Sequence, residues 1–133
     1  MIRGRMPKAD IPPAVLQFIL KRIDTVTELE TLLIMCADEA RVWSVDDIAS
    51  RIYVPAPGAA AVLHGISVKG LVSVDESGRE YRFSPANDEV RQMVQQTAAA
   101  YRKNLIPITT LIHNKASVSV QEFARAFSLK KDD

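Results

Sequence analysis

Apolar positions in the first part of the chain fall into three blocks, each repeating at helical spacing. The first block follows a proline pair at positions 12–13, and prolines are tolerated in a first helical turn because an N–H there has no helical partner. The second opens at Thr27, whose spacing to Glu30 matches a capping box. The third opens at Ser44, an N-cap residue type with Asp47 three residues on. Each block therefore predicts an amphipathic helix.

A turn and a fourth helix follow the third block. Pro55, Pro57 and Gly58 predict the turn, because proline and glycine favour chain reversals. Residues 59–68 then return to helical spacing. Gly70 is expected to end this helix in a left-handed cap, a conformation that glycine adopts without a steric penalty.

Two short segments switch to a period of two residues, which is typical of half-buried strands. They are residues 71–74 and 81–83, and the turn between them spans residues 75–80. Gly78 is expected to take a positive φ in that turn. The pattern predicts a β-hairpin, and a further short strand is expected at residues 42–43.

The C-terminal part of the chain predicts more helix. Residues 87–104 repeat at roughly helical spacing, and Pro107 is expected to end or kink this helix. A last helix is expected to begin at Ser117 or Ser119. The predicted fold class is mainly α with a small β-wing, flanked by N-terminal and C-terminal helices.

The predicted organisation is one domain behind a short arm. Residues 1–11 lack apolar periodicity and are expected to form a flexible basic arm, whereas residues 12–133 form a single domain with its core at 25–85 and C-terminal helices at 87–128. No apolar run approaches the roughly 20 residues that span a bilayer. A single cysteine and no signal-peptide pattern favour a cytoplasmic protein without a membrane partner.

The charges are unevenly distributed although the net charge is only +1. Residues 1–23 carry a net +4, residues 24–85 carry −5, and residues 86–133 carry +2. The middle of the chain is therefore acidic between two basic flanks, which bears on any polyanionic partner.

Three sequence segments together resemble the winged helix-turn-helix domains of bacterial transcription regulators of the MarR and PadR types. They are Trp43-Ser44-Val45-Asp46-Asp47-Ile48-Ala49, Gly70-Leu71-Val72 and Tyr81-Arg82-Phe83-Ser84-Pro85, and the resemblance covers about 60 of 133 residues. It implies transcription regulation through double-stranded DNA bound by a homodimer. In such domains the second helix of the pair, here 58–69, enters the major groove, and the wing, here tipped by 75–80, touches the backbone or minor groove.

The resemblance and the basic arm together give the candidate DNA-contact residues. These are Arg3, Arg5, Lys8, Arg51, Ala60, His64, Ser67, Lys69 and Arg79. Arg41 could add a further contact beside Arg51. Helices flanking the domain commonly form the dimer interface in these families. The candidate interface residues are Phe18, Val90, Met93, Val94 and Tyr101.

The alternative is a protein-interaction adaptor that has lost DNA binding. The candidate recognition helix has one lysine and no arginine, asparagine or glutamine, and the wing tip sets Arg79 against three acidic residues. Because phosphate contacts supply much of the affinity for DNA, these residues fit a duplex poorly. The small apolar face at 59–62 would suit a protein partner instead.

Catalysis, a cofactor and a metal are not predicted. His64 and His113 are the only histidines and lie far apart in the sequence, no cysteine pair exists, and no phosphate-binding glycine loop is present. Cys36 stands in an apolar helical block, where a small hydrophobic role is expected.

Overall fold

The computed structural model describes residues 11–117, which form six helices and three short strands. In chain order the elements are α1 (Pro13–Arg22), α2 (Val26–Cys36), β1 (Val42–Ser44), α3 (Val45–Ile52), α4 (Ala56–Val68), β2 (Val72–Val74), β3 (Glu80–Phe83), α5 (Asp88–Lys103) and α6 (Leu105–Ser117). The chain divides into two compact units. The winged-helix unit comprises residues 27–99, and the terminal unit comprises the described residues before and after it.

The predicted start of α3 at Ser44 is confirmed. The hydroxyl of Ser44 accepts a hydrogen bond from the backbone N–H of Asp47 at 3.0 Å, and the carboxylate of Asp47 accepts one from the backbone N–H of Ser44 at 3.0 Å. This reciprocal box satisfies two amides that a helix start would otherwise leave without partners. The helix ends at Ile52, and its C-cap residue Tyr53 takes a left-handed conformation with φ 59°.

The predicted hairpin is confirmed, and β1 completes it to a three-stranded antiparallel sheet. The strand order is β1-β3-β2, with Trp43 opposite Tyr81 and Val72 opposite Phe83. These four side chains are buried on one face of the sheet. Gly78 has the expected positive φ of 76° in the turn.

The core of the winged-helix unit comes from the inward faces of the predicted helices. The largest fully buried aliphatic side chains are Leu29, Leu32 and Met35 of α2, Ile48 of α3, and Leu63 and Ile66 of α4. Burying one such side chain contributes about 1.5–3 kcal/mol. The left-handed cap expected at Gly70 is also present, with φ 79°, and it turns the chain from α4 into β2.

The terminal unit packs α1 against α6 through apolar side chains and one lysine. The Nζ atom of Lys115 donates hydrogen bonds to the carbonyl oxygens of Ile19, at 3.2 Å, and Ile23. It also lies 3.6 Å from a carboxylate oxygen of Asp24. The carbonyl oxygen of Ile19 also accepts a hydrogen bond from the backbone N–H of Ile23 at 3.0 Å. The lysine adds a cation beside the partial negative charge at the end of α1 and so stabilises it.

Two predicted helix starts are wrong by a few residues. α2 begins at Val26, so Thr27 lies inside its first turn, where its carbonyl accepts a hydrogen bond from the hydroxyl of Thr31 at 2.8 Å. α4 begins at Ala56, so Pro57 and Gly58 belong to the helix rather than to the turn. Proline fits there because the first helical turn does not use its N–H.

The break in the C-terminal helices falls at Asn104 rather than at Pro107. The side-chain amide of Asn104 donates to the carbonyl oxygen of Ala100 at 3.0 Å, and Pro107 lies in the first turn of α6. Ser117 is the last residue of α6, and the chain that follows it lies outside the described residues. The last helix expected from Ser119 onward lies outside the described residues.

Candidate nucleic-acid interface

The outward face of α4 is uncharged. Ala61, His64 and Val68 are exposed, and Ala60 and Ser67 are half-buried. Ala59 is fully buried, so its expected place on the exposed face is wrong: the helix starts earlier and the side chain packs inward with Leu63 and Ile66. No Asp, Glu, Lys or Arg occurs within Ala56–Val68. This face therefore offers small and apolar side chains, with His64 and Ser67 as its polar members.

Lys69 directly follows α4 and forms an ion pair with a buried carboxylate. Its Nζ atom lies 2.9 Å from Oε1 of Glu28, and the two side chains are 21% and 10% exposed respectively. A Cβ atom on Gly65 would lie 3.1 Å from Oε2 of Glu28, so the glycine allows this close approach of α4 to α2. The lysine that the sequence assigns to DNA thus stabilises the packing of α4 on α2.

The wing tip is organised around one carboxylate. Asp75 accepts hydrogen bonds from the hydroxyl of Ser77 at 2.8 Å and from the backbone N–H groups of Arg79 and Glu80, both at 3.1 Å. These hydrogen bonds lower the pKa of Asp75, and the one from Ser77 has the largest effect. The tip is therefore acidic at neutral pH, and Arg79 is its exposed cation.

Two exposed arginines lie against the ring of Trp43. The guanidinium carbon of Arg41 is 3.8 Å from the ring centroid, and that of Arg51 is 5.4 Å from it. The sequence predicts contacts to DNA from both arginines, and the structure brings the two side chains to one ring. The Arg-x-Trp spacing is the sequence signal for the contact of Arg41 with Trp43, because alternate residues of a strand share one side.

The predicted contact residues are thus dispersed. Ala60, His64 and Ser67 share α4, Arg51 lies at the end of α3, and Arg79 lies at the wing tip. The arm residues Arg3, Arg5 and Lys8 lie outside the described residues. The winged-helix unit as a whole has six basic and eleven acidic residues, so its net charge opposes a polyanion and any favourable contact must be local.

The predicted dimer residues differ in exposure. Phe18 is 8% exposed and Val94 is fully buried, so both contribute to the core of the single chain. Val90, Met93 and Tyr101 are half-buried along α5 and retain surface for a partner. The predicted interface is reduced to these three residues.

Reactive groups are sparse in the part of the chain that the structure describes. Residues 11–117 contain no group of three His, Cys, Asp or Glu side chains that could hold a metal ion. His64 and His113 are both exposed. Burial raises the pKa of the half-buried Cys36 thiol, which disfavours the reactive thiolate. None of the described helices is long and apolar enough to span a membrane.

No protein-family model matches the sequence, and no curated protein matches it significantly. The multiple antibiotic-resistance repressor MarR of Listeria monocytogenes is 16% identical, covering 90% of this chain and 79% of its own, with a TM-score of 0.48. MepR of Staphylococcus aureus, a transcription regulator of the multidrug efflux pump MepA, is 16% identical over 88% and 83% of the two chains, with a TM-score of 0.47. A mutant MepR from a multidrug-resistant S. aureus isolate is 15% identical over 90% and 84%, with a TM-score of 0.49. The order of helices and the sheet register of this chain confirm the expected winged helix-turn-helix fold.

Proposed function

We propose that this chain is a non-enzymatic transcription regulator that binds double-stranded DNA as a homodimer. The observation that carries the proposal is the exposure of α4 as the second helix of a helix-turn-helix, beside a hairpin with an arginine at its tip. In winged-helix domains these two elements meet the groove and the backbone of a duplex. Arg51 and Arg79 are exposed and supply positive charge outside α4 itself.

The uncharged face of α4 limits how the DNA is read. Discrimination between bases in the major groove relies mostly on Arg, Lys, Asn and Gln side chains, and α4 has none of these. The expected binding is therefore driven by phosphate contacts from flanking cations and the basic arm. Such contacts tolerate many sequences and weaken steeply with salt.

The test is a salt series of duplex binding with the full chain. Fluorescence anisotropy with random and genomic duplexes should show binding at low salt that weakens strongly between about 50 and about 200 mM. Replacing Arg3, Arg5 and Lys8 together with glutamine should lower the slope of log affinity against log salt, by about 0.9 for each phosphate that is no longer neutralised. The matched control replaces Lys21, Arg102 and Lys103 together with glutamine, since it removes three exposed charges from α1 and α5. No binding at low salt would contradict the proposal.

The homodimer is tested separately. Met93 lies half-buried on α5 between Val90 and the C-terminal turns, so Met93→Glu places a charge in the proposed interface. Light scattering should return a dimer for the wild type and a monomer for this variant, whereas the exposed neighbour variant Gln92→Glu should remain dimeric. A monomeric wild type at high concentration would remove the dimer from the proposal.

A second candidate function is a protein-interaction adaptor, and the α4 surface favours it. Val68, the last residue of α4, is 72% exposed, and Tyr53, in the turn that precedes α4, is 92% exposed. Large exposed apolar side chains beside small ones are typical of protein contact surfaces. Partner capture should then be lost with Ala61→Glu and kept with Gln92→Glu on α5. Equal capture by both variants would exclude α4 as the docking surface.

A further inference from the structure

Trp43 is the only tryptophan of the chain, and it carries two arginine side chains on its ring. We propose that Arg41 and Arg51, held on Trp43, form the main phosphate contact of the winged-helix unit, with the DNA backbone as their ligand. The three residues are called the Trp43 cluster below. This inference rests on the proposed DNA binding and names the residues that supply its affinity.

The local fold brings the cluster together. Arg41 immediately precedes β1, Trp43 is its central residue, and Arg51 lies in the last turn of α3. The capping box at Ser44 starts α3 directly after the strand, so the short helix returns Arg51 to the ring. Both cations are therefore placed by regular backbone structure rather than by a long loop.

Burial makes the ring a fixed platform for two exposed side chains. Trp43 is 1% exposed, whereas Arg41 and Arg51 are both exposed. A guanidinium stacked on an indole is attracted by the negative face of the ring. An arginine that is already held in place loses less conformational freedom when it binds a phosphate.

The charges of the cluster remain available for a ligand. Within residues 11–117, neither Arg41 nor Arg51 forms an ion pair with a carboxylate, whereas Arg91 pairs with Glu39 and Lys69 pairs with Glu28. Arg41 does contribute to the lowered pKa of Asp47. The hydrogen bond from the backbone N–H of Ser44 contributes most to this lowering of the pKa, and the hydroxyl of Ser44 also contributes more than Arg41 does. The carboxylate of Asp47 is therefore engaged mainly in the helix cap.

Guanidinium chemistry and DNA geometry fit each other here. Arginine donates two parallel hydrogen bonds to a phosphate while its plane stays stacked on an aromatic ring. Each phosphate that a cation neutralises releases counterions and adds to backbone affinity, and the two exposed arginines on the ring offer two such cations. The cluster thus supplies backbone affinity that the uncharged α4 does not.

The experiment uses the full chain, a short duplex of random sequence and the fluorescence of Trp43. The variants are Arg41→Gln, Arg51→Gln and the double variant, with Arg102→Gln on α5 as a charge-matched control. Duplex binding by the wild type should change the emission of Trp43. Each cluster variant should lower the salt slope by about 0.9 and the double variant by about twice that, while the control leaves the slope unchanged.

Three results would overturn the inference. They are a double variant that keeps the wild-type salt slope, a control that loses as much slope as the cluster variants, and duplex binding that leaves the Trp43 emission unchanged. Each would show that the cluster is not the phosphate contact, while the proposed DNA binding would stand. A wild type that binds no duplex at low salt would overturn both proposals. If a glutamine variant melts early by circular dichroism, Arg41→Lys and Arg51→Lys replace it. They should keep the slope and lower the affinity, because lysine lacks the two parallel hydrogen bonds to phosphate, and an unchanged affinity would overturn the inference.

Discussion

The two helices of the helix-turn-helix motif are held in place by different physical means. α3 has eight residues, a complete capping box at its start, acidic residues in its first turn and Arg51 in its last turn. α4 has thirteen residues, no side-chain cap, no acidic residue in its first turn and no basic residue in its last. α3 is stabilised largely by local hydrogen bonds, whereas α4 depends on its buried face and on the Lys69–Glu28 ion pair.

This difference bears directly on function. The helix that should read DNA has the fewest charges, and the cations lie on α3, before β1 and at the wing tip. Local charge decides where a phosphate binds. The fold therefore predicts that α4 contacts DNA, whereas the charges predict that the phosphates bind beside it, on α3, before β1 and at the wing tip. The variants below test whether α3 and α4 differ in stability and binding as described.

The largest expected effect is on the inward face of α4. Leu63 is fully buried, so Leu63→Ala should lower the free energy of unfolding by about 2–5 kcal/mol through reduced burial and a residual cavity. The matched variant His64→Ala changes the exposed neighbour and should stay within about 0.5 kcal/mol of the wild type. Urea unfolding measures both. A small loss for Leu63→Ala would mean that α4 is not anchored by its core face.

The ion pair behind α4 should have the next largest effect. Lys69→Met removes the cation that faces the buried carboxylate of Glu28 and should cost about 1–3 kcal/mol. Adding Glu28→Gln should recover part of this loss, which a double-mutant cycle measures. The salt slope of duplex binding should not change with Lys69→Met. A decrease of about 0.9 would instead return Lys69 to the set of phosphate contacts.

The cap of α3 should have a smaller effect that depends on pH. Ser44→Ala should cost about 0.5–2 kcal/mol. The hydrogen bonds from Ser44 lower the pKa of Asp47 in the folded state. Its contribution is therefore fully present above the ordinary pKa of an aspartate, near about 4, and is lost as the pH falls through the lowered folded value. Thermal melting in acid should show this decline in the wild type and a smaller decline in Asp47→Asn.

The smallest expected change lies between the two helices. Tyr53 adopts a left-handed conformation with φ 59° and is 92% exposed, so its ring contributes little packing in the single chain. Tyr53→Gly should remove steric strain and raise stability by up to about 1 kcal/mol, whereas Tyr53→Ala keeps the strain and should not. A clear loss of stability in the glycine variant would show that the ring packs against the unit. A stable glycine variant that loses partner capture would favour the adaptor function.

Much of the winged-helix unit could be predicted from the sequence because its signals are local. Ser44 with Asp47 fixes the start of α3, and Gly70 and Gly78 occupy left-handed positions that other residues adopt at a cost. Helix starts without such a signal were misplaced. α2 begins before Thr27, and α4 includes Pro57, because neighbouring residues compete for the cap and packing decides between them.

The residues of the candidate site likewise fall into those that local sequence signals predict and those that depend on packing. The sequence identified the exposed helix, the wing tip with Arg79, and Arg51, since each follows from its place in a predicted element. It could not show that Lys69 pairs with Glu28, or that Phe18 is buried in the single chain, because both depend on packing. The sequence named Arg41 as a possible contact, but it could not show that this side chain lies on Trp43, because that depends on where β1 places the ring.

The sequence by itself determined the order of helices, the hairpin and the acidic character of the middle of the chain, since periodicity, turn residues and charge are local properties. The tertiary structure alone decided which cations are available to a partner. Lys69 meets Glu28 across 41 positions of the sequence, and Lys115 meets the carbonyl of Ile23 across 92. Ion pairs between distant segments form only when packing brings them within a few ångströms, so a count of charges cannot tell a structural lysine from a binding one.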